Sequence, residues 1–346
     1  IVQLVEEGGD FQLQKNWQLP DNSDLRLYHR LQPLVEVKPV KTSSDRVSLQ
    51  NIIVPKVAPP GLPIPVTYEW TGSESQLRSN LMLLTWQRVD KQAKITAKSH
   101  ISDTSTMWLH DRSIGMGALD FSQNAIANTG LEVIERTAML PPPDLLPGKY
   151  RLSAQYLDRV SGETYTIDIP KVEITIDPNA KPLPAPELDL VTQLRTIAPN
   201  MAQGITGLEP IFVQTARINQ YDAKQDYLSQ AELALSYRLQ QNNISQQQQL
   251  DWTYTLGLAQ VLQQDVEGAI ATFKQVIQLD DRNPFNYAYL AFVYLYDWQP
   301  QPAEKALDRA IASYPDSEEI QILSGVAALM QGNLIKAWQA ISPLLN

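Results

Sequence analysis

The fold is decided by residues 250–346, which read LDWTYTLGLAQVLQQDVEGAIATFKQVIQLDDRN (250–283), PFNYAYLAFVYLYDWQPQPAEKALDRAIASYPDS (284–317) and EEIQILSGVAALMQGNLIKAWQAISPLLN (318–346). Set beneath one another, the three segments repeat with a period of 34. Gly257, Ala291 and Gly325 align, and so do Ala269, Ala303 and Ala337. Small residues at two fixed positions let paired helices approach closely, and the large residues beside them fill the remaining space. A period of this length predicts stacked helix pairs in which each unit buries its apolar face against the next.

The pattern resembles the tetratricopeptide repeat family, whose signature is W-x2-L-G-x2-Y, then A-x3-F, then P. Repeat one supplies Leu256, Gly257, Ala269 and Phe273. Repeat two supplies Tyr287, Leu290, Ala291, Tyr294, Ala303, Leu307 and Pro315, and repeat three supplies Gly325, Ala337 and Ile341. Two positions depart from it: Asp281 stands where the proline is expected in repeat one, and Ser324 replaces a leucine in repeat three. The resemblance implies a solenoid whose first helices line a concave, partner-binding groove. The residues expected there are Asp251, Tyr254, Leu258 and Leu262, then Phe285, Ala288, Phe292 and Tyr296, then Glu319, Ile322, Val326 and Met330. Such a groove is strongly apolar. It calls either for a partner or for cover by the chain's own helices between 186 and 241.

Working outward, helical periodicity extends upstream, with helices expected at 186–197, 209–219, 222–241, 246–263, 266–279, 284–297, 301–313, 317–331 and 333–345. The glutamines at 246–249 read as the first turn of a helix capped by Ser245. Residues 177–186, DPNAKPLPAP, hold four prolines in ten and read as a semi-rigid linker. Before it the pattern is short alternating or apolar runs broken by Pro, Gly, Asn and Ser. Strands are expected at 25–29, 64–70, 80–88, 94–101, 131–139, 149–158, 163–169 and 172–176, with a hairpin loop at 158–162. The expected organisation is α+β in separate domains: an immunoglobulin-like antiparallel β-sandwich (1–176), the linker (177–186), capping or irregular helices (187–249), and all-α repeats at 250–283, 284–317 and 318–346.

The β-rich half carries a second resemblance. Trp17, Leu19, Pro20, Asp21, Ser23, Leu27, Tyr28 and Arg30 fit W-x-LPD-x-S-x-x-x-LY-x-R. Pro147, Gly148, Tyr150, Leu152, Tyr156 and Gly162 fit PG-x-Y-x-L-x-x-x-Y-x-x-x-x-G. This is similar to the extracytoplasmic β-sandwich tail of membrane glycosyltransferases that use polyprenyl-phosphate sugars, cyanobacterial examples especially. In that family the catalytic acid lies in the membrane domain, so the resemblance implies no catalytic residue here.

Composition narrows the function. The net charge is −10, shared as −3 over residues 1–178 and −7 over 179–346, which argues against nucleic acid or an anionic membrane as the main partner. With no cysteine there are no disulfides, thiolate metal sites or cysteine nucleophile, and export is slightly favoured. No run of about 18 apolar residues spans a membrane. The chain starts at Ile1, so a mature or excised piece is expected, with any signal or membrane anchor ahead of it.

Candidate chemistry is sparse. His110, Asp111 and Arg112 put an imidazole beside a carboxylate, which reads either as an acid/base or metal group or as an ordinary loop with a local ion pair. His29 and His100 lack ligand spacing. Gly115-Met-Gly117 is a turn without the context of a phosphate loop. Glu132 and Glu135 lie an odd number apart, so on a strand they face opposite ways. Trp70, Trp86 and Trp108 read as a sugar-binding platform or as core. No cofactor, metal or catalytic site is expected. The expected function is a non-enzymatic protein–protein interaction scaffold outside the cytoplasm, binding a protein or peptide. The glycosyltransferase tail is the alternative, and a carbohydrate-binding module with a glycan partner the third.

Overall fold

The computed structural model describes residues 11–30, 33–40, 46–89, 106–117, 119, 130–221, 224–241 and 244–345. They separate into two compact units. One runs to Asp189 and is β-rich; the other comprises Leu190 onward together with Asp111–Ser113.

In the β unit, β1 (Phe11–Gln18) and β2 (Asp24–Arg30) form a separate two-stranded hairpin. The other strands are β3 (Val35–Val40), β4 (Ser48–Ile53), β5 (Val57–Ala58), β6 (Ile64–Gly72), β7 (Asn80–Arg88), β8 (Met107–Leu109), β9 (Gly130–Met139), β10 (Gly148–Asp158), β11 (Thr164–Thr166) and β12 (Glu173–Ile176), with a short helix α1 (Glu74–Arg78) after β6. One sheet has the order β3-β9-β6-β4. The other has the order β5-β12-β10-β7-β8, with β11 also on β10. Every pairing is antiparallel except β12 with β5.

Both sheets feed one core, because alternate residues of each strand point inward. Ile64, Val66, Tyr68 and Trp70 come from β6, Met82, Leu84 and Trp86 from β7, and Tyr150, Leu152, Ala154 and Tyr156 from β10. The aromatic residues stack within it: Trp86 lies 5.4 Å from Trp108 and nearly parallel to it, and Tyr68 lies 5.5 Å from Trp70. At the expected hairpin loop, Asp158 Oδ1 accepts from the amides of Val160 and Ser161 at 2.9 Å each, and Gly162 supplies the left-handed turn.

The alternating strands are found close to where the pattern places them. Strand β11 is shorter than expected, Thr164–Thr166. The expected strand at 94–101 lies outside the described residues, as does His100. The pattern does not reveal β1, β3, β4, β5 and β8. β3, β4, β5 and β8 lie at sheet edges, and β1 pairs only with β2.

The helical unit contains α2 (Leu190–Ile197), a 3-10 turn (Ala198–Gln203), α3 (Ile205–Tyr221), α4 (Asp226–Leu239), α5 (Gln246–Gln263), α6 (Val266–Leu279), α7 (Pro284–Tyr296), α8 (Pro300–Ser313), α9 (Glu318–Met330) and α10 (Leu334–Ile341), followed by a 3-10 turn (Ser342–Leu345). The first helix starts later than expected, at Leu190. The capping box at Ser245 and Gln248 starts α5, so the repeat register that begins at 250 starts inside this helix.

The helices pair as α5/α6, α7/α8 and α9/α10, and successive pairs pack on one another, giving a repeat solenoid. The turn within each pair shows the same period as the sequence. Gln264, Trp298 and Gly332 stand 34 apart, and all three are left-handed, with φ of 62°, 56° and 75°. The small positions explain themselves. A Cβ on Gly325 would lie 2.6 Å from Ile341 Cγ1, and Ala269, Ala303 and Ala337 are buried between helices.

Candidate functional site

The first helices of the three pairs, α5, α7 and α9, present one side to a concave apolar pocket of about 360 Å³. Leu258 and Leu262 come from α5, Phe285, Ala288 and Phe292 from α7, and Glu319 and Ile322 from α9. An adjoining pocket of about 190 Å³ takes in Phe292 and Tyr296 together with Asp265 and Val266 at the start of α6. Phe292 and Tyr296 are 51% and 56% exposed, a large apolar surface for a helix to leave uncovered. The charged side chains lining these pockets are two carboxylates, Glu319 and Asp265.

The remaining expected groove residues lie elsewhere. Tyr254 is fully buried, and its hydroxyl donates to Asn286 Oδ1 at 2.5 Å, while Asn286 Nδ2 donates to Asp280 O at 2.8 Å. It therefore ties repeat one to repeat two from inside, and burial pushes its pKa up. Asp251 accepts from Gln247 Nε2 at 2.8 Å on the partly exposed side of α5. Val326 is exposed and Met330 half-buried, and neither lines the two pockets.

One wall of the main pocket comes from the segment between 186 and 241 that was expected to cover part of the groove, though its residues were not named. Met201, Gly204, Ile205, Leu208 and Phe212, from the 3-10 turn and α3, face α7 across it. Tyr289 Oη donates to Met201 O at 2.7 Å, and Asn283 Nδ2 donates to Ala202 O at 2.8 Å. Gly204 has a φ of 69°, and a Cβ there would come 2.5 Å from the Phe285 ring, so only glycine fits. The signal available in the sequence is the pair Gly204 and Gly207 at the head of an apolar helix. The chain's own segment thus forms a side of the pocket and leaves its volume open.

The polar segment at 110–112 is buried, and its members have different partners. Within the β unit His110 Nδ1 lies 2.9 Å from the Tyr68 hydroxyl, and Nε2 lies 3.1 Å from Asp189 Oδ2. Within the helical unit Asp111 accepts two bonds from Arg238, at 2.9 and 2.8 Å, and the amide of Ser113 donates to Gln230 Oε1 at 2.8 Å. Burial opposes the Arg238 charge, and the Asp111 carboxylate more than offsets this, so its pKa is raised. The imidazole is therefore paired with Asp189, not with its neighbour Asp111. Arg112 is likewise buried and donates to Ser113 O at 3.3 Å. All three side chains lie below the surface.

Of the two readings of the tryptophans, the structure shows the core one. Trp70, Trp86 and Trp108 are all buried, so none of them offers a face to a sugar. Trp70 Nε1 donates to Glu135 Oε2 at 3.1 Å, and Glu135 Oε1 accepts from the amide of Gly115 at 2.7 Å. Glu135 points inward and Glu132 outward, as their spacing requires. Gly115 and Gly117 lie in a 3-10 turn, Ile114–Gly117. His29 lies on β2. Among the described residues no group of three or more His, Asp or Glu side chains is placed to hold a metal ion, and no helix is long and apolar enough to cross a membrane.

No protein-family model matches the chain, and no curated protein matches it. Among solved structures it is similar to the crystal structure of MamA, with a TM-score of 0.31 and 17% identity, over 46% of this chain and 94% of that one.

Proposed function

We propose that the chain is a non-enzymatic protein-interaction scaffold whose helical unit is a tetratricopeptide-type solenoid, with an immunoglobulin-like β-sandwich as its accessory. The observation that carries this reading is the apolar pocket of about 360 Å³, open on one side, with Phe292 half-exposed at its edge. Its occupant is an apolar segment of a partner protein. An apolar side chain entering it releases ordered water and gains about 25 cal/mol per Å² of apolar surface buried. Phe292→Glu and Ile322→Glu each place a charge at that surface. Partner retained by the wild-type chain is expected to be lost from both variants, and equal retention by the variants would sink the reading.

The proposal places the protein outside the cytoplasm, supported by the absence of cysteine from the sequence. Cell fractionation tests it, and recovery with cytoplasmic markers alone refutes the location. The glycosyltransferase tail remains the alternative, resting on the sequence resemblance of Trp17 through Arg30 alone. A polytopic hydrophobic region ahead of Ile1 in the parent gene is its expected mark.

A further inference from the structure

The two pockets of the helical unit form one trough, because Val261, Phe292 and Val293 line both of them. Its two carboxylates stand at different places along it: Glu319 lines the larger pocket alone, and Asp265 the smaller one alone. Each is held by one donor near the start of its own helix. The Ser317 hydroxyl donates to Glu319 Oε2 at 2.6 Å, and the amide of Gly268 donates to Asp265 Oδ1 at 3.1 Å. That leaves Glu319 Oε1 and Asp265 Oδ2 to accept from a ligand. Among the described residues no lysine, arginine or histidine lines either pocket.

Charge is sorted by helix in the same sense. The helices that present the trough, α5, α7 and α9, carry Asp251, Glu318 and Glu319 and no lysine or arginine. The cations of the repeats lie elsewhere: Lys274 on α6, Lys305 and Arg309 on α8, Lys336 on α10, and Arg282 in the turn before α7. Lys274 lies 5.8 Å from the Tyr294 ring, and Lys336 pairs with Glu304. A trough of this kind rejects an acidic segment by like charge. A segment with uncharged flanks takes water from the two carboxylates and gives them no donor in return. Lysine or arginine beside the apolar residues supplies those donors, and such charge pairs at an interface select the partner.

We propose that the trough takes a partner segment whose apolar residues are flanked on both sides by lysine or arginine, one cation meeting Glu319 and the other Asp265. The inference rests on the reading of the pocket as a site for an apolar segment, and it adds the charge of that segment's flanks. Fluorescence anisotropy of the whole chain at low salt tests it with three labelled synthetic peptides. They share one core of leucine and phenylalanine and carry lysine, serine or glutamate on both flanks. The lysine peptide is expected to bind roughly fivefold more tightly than the serine peptide, and the glutamate peptide most weakly. Glu319→Gln combined with Asp265→Asn removes both charges and keeps the shapes, and asparagine still caps α6. That double variant should bind the lysine peptide no better than the serine peptide, with serine-peptide binding unchanged. Should it fail to fold, Glu319→Gln alone replaces it and should reduce the preference about twofold. Phe292→Ser should weaken binding of all three peptides. If it does, but the peptides bind alike or the lysine preference survives the loss of both carboxylates, the proposal is overturned and the apolar-segment reading stands. If no peptide binds, or Phe292→Ser changes nothing, that reading falls and the proposal falls with it.

Discussion

The β unit and the helical unit both set apolar residues at regular spacing, but they use them differently. In the β unit two sheets close on each other, and the large aromatic residues Tyr68, Trp70, Trp86, Trp108 and Tyr150 all lie inside. In the helical unit small residues bring the helices together, and large ones such as Phe292, Tyr296 and Trp338 are left facing outward. A strand pair buries one face completely because its side chains alternate strictly. A helix has a wider circumference, and a stack of pairs covers only part of it. The β unit is therefore a closed core of aromatic and aliphatic side chains, and the helical unit leaves apolar surface exposed.

This contrast predicts the largest effects where the closed core is cut. Trp70→Ala should lower the unfolding free energy by about 3–5 kcal/mol through the cavity it leaves and the donor it removes from Glu135. Denaturant unfolding followed by near-ultraviolet circular dichroism measures it; a loss below about 1 kcal/mol contradicts a closed core.

In the helical unit, Arg238→Ala should cost about 3–5 kcal/mol, because Asp111 is left buried without its partner. The double change Asp111→Leu with Arg238→Met should restore most of that loss. Failure to recover would show that the pair does more than balance charge.

A pH experiment probes the β10–β11 loop. Burial alone raises the Asp158 pKa, but the Ser161 and Val160 amides and the Ser79 hydroxyl overcome it and hold it at about 2, from an ordinary 3.8. A depressed carboxylate pKa stabilises the fold above the unfolded value and loses that contribution as pH falls through the folded one. The unfolding midpoint should therefore fall between about pH 4 and pH 2, and Asp158→Asn should flatten that part of the profile.

Smaller effects are expected in the helical unit's turns and groove. Trp298→Gly, at a left-handed and exposed position, should stabilise by about 1 kcal/mol, read as a higher unfolding midpoint. Phe292→Glu should change stability by less than about 0.5 kcal/mol while removing partner binding. A large destabilisation there would mean that Phe292 belongs to the core.

Much of the architecture is legible locally. The alternation Tyr150, Leu152, Ala154, Tyr156 marks β10, and Ser245 marks the start of α5, because each reflects geometry within one element. The edge strands β3, β4 and β5 escaped detection because they are short, β5 being two residues and β3 carrying Pro39. The candidate site was half legible. Helical spacing put Leu258, Phe285, Phe292 and Ile322 on one side, but it also put Tyr254 there. Tyr254 lies inside because Asn286, in the next repeat, reaches its hydroxyl. The opposite wall lies in the helical segment read upstream of the repeats, but its key position, Gly204, precedes the expected helix and falls outside the 34-residue period.

The sequence by itself determined the 34-residue period, the pairing of helices and the separation of a strand-rich half from a helical one. These follow from spacings of 3.6 and 2 residues and from small residues at fixed places, which neighbouring residues alone can express. Only the tertiary structure decided that Trp70, Trp86 and Trp108 are core, that His110 pairs with Asp189 and Asp111 with Arg238, and that the pocket stays open. Each depends on groups tens of residues apart in the chain, and no local spacing encodes which of them meet.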